Sequence, residues 1–163
     1  RVLRFLGDRK IANPVVITGD IHSNWACDLK VDWREEKSPI VGVELVGTSI
    51  TSGGDGADAM KGIDDVYAEN PHLKWHSSRR GYVSCTVTPQ QTRADYRTVP
   101  FVAAPGAPIQ TARSFVVEAG RPGSSRTGAV SAQLALISSK SSPSTMQTSN
   151  SVWSRTARPF IRF

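Results

Sequence analysis

Two residues able to bind a metal stand two apart near the start of the chain, in the stretch ITGDIHSNW from Ile17 to Trp25. The carboxylate of Asp20 is a hard oxygen ligand and a neutral His22 imidazole a borderline nitrogen. That mixture suits iron, zinc or manganese beside calcium or magnesium. Asn24 adds an amide oxygen. The plainer account is that Asp20 caps a turn and His22 is an ordinary loop histidine. Cys27, five residues beyond His22, is a ligand or redox group, or else a small buried hydrophobe as free cysteines commonly are. Cys85, in an alternating pattern, reads as buried.

Other constellations divide in the same way. Gly53-Gly54-Asp55-Gly56-Ala57-Asp58-Ala59-Met60 fits the calcium-binding pattern G-G-x-G-x-D-x-U, which acts in stacked arrays. A single copy is equally a flexible loop with Asp58 as the cap of a following helix. It is not a phosphate-binding P-loop, because no Gly-Lys-Ser/Thr follows. His72 and His76 are four apart, but Pro71 and the Leu73/Trp75 alternation predict extended chain, where the two rings chelate poorly. Arg79 and Arg80 match the oxygens of an anionic substrate such as a phosphate, or are the solvated start of a strand. No G-x-S-x-G elbow supports a serine nucleophile.

The elements that must position these residues follow from periodicity and breakers. Residues 1–12 read as the end of an amphipathic helix with Val2, Phe5, Leu6 and Ile11 on one face, stopped at Asn13-Pro14. Val15-Val16-Ile17 reads as a short strand buried on both sides of a layered sheet, which places Gly19 to His22 beyond a strand's carboxyl end, where ligands gather in such sheets. Ile40 to Ile50 is a second strand, broken or bulged at Gly42 and Gly47. Met60, Ile63, Val66 and Tyr67 recur at helical spacing until Asn70-Pro71. Val83, Cys85 and Val87 alternate with Ser84, Thr86 and Thr88. Pro89-Gln90-Gln91 is a turn from which Arg93 to Val99 returns antiparallel, and after the loop Ala104 to Pro108 comes a strand from Ser114 to Glu118.

Composition sets the outer limits. With 163 residues, 39% hydrophobic and 21% charged, the chain suits one globular domain. No apolar run approaches the roughly 18–20 residues needed to span a bilayer. The first residues, Arg1 to Gly7, are too short and charged for a signal peptide, and the absence of an initiating Met leads us to expect a chain that begins partway through a larger protein. The formal net charge of +6 is uneven: residues 1–123 hold 15 Lys/Arg against 14 Asp/Glu, while Arg126, Lys140, Arg155, Arg158 and Arg162 lie in a stretch without acids. That stretch, 124–163, has 15 Ser and Thr among its 40 residues and is expected to be disordered. A basic tail is a poor match to the basic, aromatic face of a nucleic-acid binder.

Taken together, the segments NPVVITGDIHSNWACDLK (Asn13 to Lys30), VGTSITSGGDG (Val46 to Gly56), AENPHLKW (Ala68 to Trp75), RGYVSCTVTP (Arg80 to Pro89), RADYRTVPFV (Arg93 to Val102) and SFVVEAGRPG (Ser114 to Gly123) resemble the C-terminal part of the PhoD-type alkaline phosphatases, a metallophosphatase family. They fall in the family's order across about 120 residues, a far more specific match than Asp-x-His alone. The resemblance implies an α/β architecture: the C-terminal part of a layered metallophosphatase β-sandwich flanked by helices, over residues 1–123. It implies a multinuclear metal site holding iron and calcium, hydrolysis of phosphate mono- or diesters, and a secreted or periplasmic location. Asp20 and His22 correspond to the last ligand loop, His22 being also a candidate to protonate the leaving oxygen. Asn24 and Arg80 are candidates for substrate contact.

The chain departs from the family pattern in lacking the upstream Asp-rich ligands and the Asn-His loop. Two or three ligands hold ions weakly, so the isolated chain is expected to be inactive without the missing N-terminal portion, and half a layered sheet leaves apolar faces uncovered. The resemblance ends at Gly123. A non-enzymatic alternative is a β-rich module whose basic tail binds anionic surfaces, nucleic acid included, with a steep salt dependence.

Overall fold

Proline and polar side chains set the first boundary. The computed structural model describes residues 1–127, and the part of the expected tail from 128 to 163 lies outside them. Helix α1 (Val2–Asp8) ends earlier than the apolar spacing suggests, because Arg9 caps it and Lys10 and Asn13 take left-handed backbone, φ 49° and 52°. The Asn13 amide then ties this corner to the far end of the chain, donating to the carbonyls of Glu118 and Arg121 and accepting from Gly120 N at 2.7 Å.

The first sheet contains β1 (Val15–Thr18), β2 (Asn24–Lys30), β3 (Ile40–Val46) and β4 (Leu73–Ser77), in the order β1-β3-β2-β4. β1 runs parallel to β3, and β2 is antiparallel to both of its neighbours. The register slips opposite Gly42, the expected bulge, and the strand stops at Val46 before Gly47. The second sheet is an antiparallel meander of β5 (Arg80–Val87), β6 (Gln91–Val99), β7 (Gln110–Glu118) and β8 (Ser125–Arg126). Its last strand lies beyond Gly123, where the acids stop. Ser124 is held too, its N–H donating to Asp28 Oδ1 at 2.9 Å.

The sheets face each other across one core. Ala26, Val43, Leu45 and Trp75 come from the first, and Ala94, Tyr96, Phe115 and Val117 from the second. Trp75 meets Tyr96 edge-on with ring centroids 4.8 Å apart, and Tyr96 meets Phe115 at 6.0 Å, the tilted geometry aromatic pairs prefer. The phenol of Tyr96 crosses the gap to donate to the Trp25 carbonyl at 2.6 Å. The molecule is thus a two-layer β-sandwich with two short helices, α1 and α2 (Ile63–Glu69).

Three expectations need correction. Ser124 to Arg126 are not disordered, since Ser124 is held by Asp28 and Ser125–Arg126 pair with β7. β1 is not buried on both sides: Val16 and Ile17 are 38% and 52% exposed, and no described element pairs with its outer edge. α1 likewise buries no residue, leaving Val2 and Phe5 in solvent. An apolar run reports what could be buried, not whether a covering layer is present.

Candidate functional site

The strand directions send four connections to one end of the sandwich. β1, β3 and β4 all finish there and β2 starts there, so the Gly19–Ser23 loop, the long connection after β3, and the two-residue link Ser78-Arg79 between the sheets lie together. The loop after β6 joins them: Asp55 Oδ1 accepts from Val102 N at 2.7 Å, and Arg79 Nη1 donates to the Pro100 carbonyl at 2.7 Å.

Asp20 and His22 occupy the loop beyond β1 and both are exposed. Their backbone is unusual. Asp20 has φ 71° and His22 φ 58°, and Ile21 N donates to the Gly19 carbonyl at 2.9 Å, which makes Asp20 the centre of a γ-turn of the strained, positive-φ kind. Left-handed backbone costs a side-chain-bearing residue roughly 1–2 kcal/mol, so two such residues within three positions persist only if the surroundings impose them.

Beneath the loop lies Arg80. Only 4% exposed, it directs Nη1 to the His22 carbonyl at 2.5 Å, to Ser49 Oγ at 3.0 Å and to Thr48 Oγ1 at 3.3 Å. Its Nε donates to the Gly54 carbonyl at 2.7 Å and Nη2 reaches the Gly53 carbonyl at 3.5 Å. Asn24, fully buried, works beside it. Its amide donates to the carbonyls of Ser77 and Arg79 at 3.3 and 3.0 Å and its oxygen accepts from Thr48 N at 3.3 Å. The two candidates for substrate contact are therefore placed in the framework under the loop, with their polar groups engaged by backbone and hydroxyls. Asn24 opens β2 and is not a loop residue.

The glycine-rich segment is part of the same framework. Gly56 has φ 67°, and a Cβ there would stand 1.7 Å from the Ser78 carbonyl oxygen. Close contact lets Ser78 N donate to the Ala57 carbonyl and Ala57 N to Ser78 Oγ, each at 2.9 Å. Asp58 does not cap α2, whose N-cap is Gly62 without a side-chain bond. It pairs with Arg79 Nε at 2.9 Å, and that guanidinium holds its carboxyl below the usual range. Both acids of the calcium-like pattern thus have protein partners.

The remaining candidates have other surroundings. The His72 ring lies 4.5 Å from that of Trp33 and the His76 ring 4.3 Å from that of Trp25, and burial lowers the pKa of both. Cys27 is buried in β2, and burial, with Glu44 and Asp28 nearby, pushes its thiol up to about 12, so it is protonated and inert at neutral pH. Among the described residues no three His, Cys, Asp or Glu come together as a metal cluster. Thr48 and Ser49 were not singled out by sequence; their one signal was a hydroxyl-rich run ahead of the glycines.

A two-layer sandwich carrying its polar loops at the carboxyl ends of its strands is here of the phosphatase class: residues 1–96 match the profile of the family described as PhoD-like phosphatase. Alkaline phosphatase D of Bacillus subtilis (strain 168) is 50% identical over 123 residues, 76% of this chain and 21% of that protein. A solved structure of PhoD superposes with a TM-score of 0.75 at 47% identity, covering 82% of this chain and 26% of the other. The chain belongs to the PhoD-like phosphatase family. It spans about a fifth of the length of the curated relative it matches.

Proposed function

We propose that the chain is the C-terminal part of a metal-dependent hydrolase of phosphate mono- or diesters, and that Asp20 and His22 are its last ligand loop. The observation that carries this reading is the strained, exposed Asp20–His22 turn held from below by a buried guanidinium, in a chain of this family. The donor set fits the cations the family suggests, since Asp20 offers a hard oxygen for calcium and His22 a nitrogen for iron. With no third metal-binding side chain clustered among the described residues, the other ligands come from an upstream portion. The uncovered apolar residues of β1 and α1 are the surface such a portion would cover.

Bound cations would neutralise phosphate oxygens and lower the pKa of a coordinated water. The chain's own part is to present Asp20 and His22 at fixed positions; an unligated His22 could protonate the leaving oxygen. Residues 1–123 are the family portion and 124–163 a basic extension whose first residues, Ser124 to Arg126, are held by the second sheet and Asp28, and the location is outside the cytoplasm, secreted or periplasmic. No helix among the described residues is long and apolar enough to cross a membrane.

The test compares the complete gene product with the 163-residue chain, measuring bound iron and calcium and turnover of p-nitrophenyl phosphate and bis(p-nitrophenyl) phosphate. Metal and turnover are expected only in the complete form, both lost in Asp20→Ala and His22→Ala. Turnover by the short chain, or metal retention in both variants, would overturn the proposal.

A further inference from the structure

We infer that Arg80 is the positioning residue of the Asp20–His22 loop, setting its backbone through the His22 carbonyl and never touching substrate; this rests on the proposed function above. An arginine that recognises phosphate must present free N–H groups to solvent. Arg80 is instead 4% exposed, with its Nε and Nη1 engaged by Gly54, His22, Ser49 and Thr48 and its Nη2 near the Gly53 carbonyl, all within 3.5 Å. These residues come from two different connections, so one planar group fixes the ligand loop against the segment after β3. None of the ion pairs among the described residues involves Arg80. A buried cation compensated only by dipoles is a poor stabilising device, and its geometry is the better reason for its presence.

The shape of the group matters as much as its charge. The forked guanidinium serves carbonyls lying in several directions, whereas a lysine ammonium is a compact point charge at the end of a flexible stem. Lysine at position 80 would reach one loop and release the other. The His22 turn, no longer held left-handed, would relax and displace both ligands, and displacement of about 1 Å at a reacting centre costs on the order of 10²-fold in rate.

Arg80→Ala and Arg80→Lys in the complete gene product test this, with three readouts: amide hydrogen exchange, the separate kcat and KM for bis(p-nitrophenyl) phosphate, and rescue by methylguanidinium against ammonium. Exchange is expected to rise at residues 19–23 and 48–54 with β6 and β7 unchanged. In both variants kcat falls about 10²-fold with KM within about threefold, the pattern of lost transition-state geometry. Methylguanidinium, and not ammonium, restores Arg80→Ala at least about tenfold by refilling the fork-shaped cavity. Full activity in Arg80→Lys, unchanged exchange in Arg80→Ala, or a raised KM at constant kcat would overturn the inference, the last by making Arg80 a substrate contact. If Arg80→Ala does not fold, Arg80→Lys decides by the same exchange and kinetics. Should the unmutated protein hydrolyse no phosphate ester, the phosphatase reading fails, while exchange still judges the brace.

Discussion

Replacing Gly56 by Ala separates contact from backbone strain in the loop that roofs the junction between the sheets. The new methyl would lie 1.7 Å from the Ser78 carbonyl oxygen and 2.5 Å from its carbon, against an ordinary carbon–oxygen approach of about 3.3 Å. The loop must lift off the Ser78-Arg79 link. That breaks the two 2.9 Å bonds between Ala57 and Ser78, worth about 1 kcal/mol each. Alanine at φ 67° adds about 1–2 kcal/mol, for a total of about 3–4 kcal/mol. Gly54 is the control: it has φ 70° and no described residue within 4 Å of an added Cβ, so Gly54→Ala bears only the backbone cost of about 1–2 kcal/mol. Urea midpoints of the complete protein, followed by fluorescence, measure both, with the slope m checked for constancy. Equal losses in the two variants would refute the reasoning, because the Ser78 contact would then contribute nothing.

Two further outcomes are expected. Asp20→Gly, measured in chelator, should be more stable than Asp20→Ala by about 1 kcal/mol, since it sheds the strain at φ 71° and gives back part of it as chain entropy; melting curves that coincide would remove strain from the account. His76, 4% exposed and with Nδ1 lacking a partner among the described residues, has its pKa lowered below 6.5 by burial. The unfolded chain then binds the proton more tightly, so stability is unaffected by this group above pH 6.5 and is lost as pH falls below 6.5 through the lowered folded value. Urea midpoints at pH 7.5 and 5 should therefore draw together in His76→Phe, and an undiminished acid loss would count against it.

The legible parts of the fold were those where side-chain period tracked burial. β5 showed itself by alternation, β6 by the turn before it, and the bulge at Gly42 and the stop at Gly47 by glycine. β2 did not, because it buries Asn24, Asp28 and Lys30. Each has partners no single-sequence pattern reveals: Lys30 Nζ donates to the Glu35 and Glu36 carbonyls at 2.6 and 2.9 Å, and Asp28 pairs with Lys74 at 3.2 Å. A polar residue with satisfied bonds costs little to bury, so hydrophobicity alone misreads it. The Asp20–His22 loop was visible because strand ends attract polar chemistry, but its left-handed turn was not. Arg80 was noticed for its charge, and its work turned out to be with backbone carbonyls distant in sequence.

The brace between Arg80 and His22 has a consequence for the order of events in synthesis. The two residues are 58 positions apart, and the chain leaves the ribosome from its amino end. The turn bearing Asp20 and His22 therefore emerges well before the guanidinium that shapes it, and long-range closure of this kind comes late in folding. Until β5 begins, the nascent chain carries Asp20 and His22 in a turn that Arg80 does not yet hold. The two side chains are at first a loose pair, and the finished geometry appears only once the second sheet has started to form.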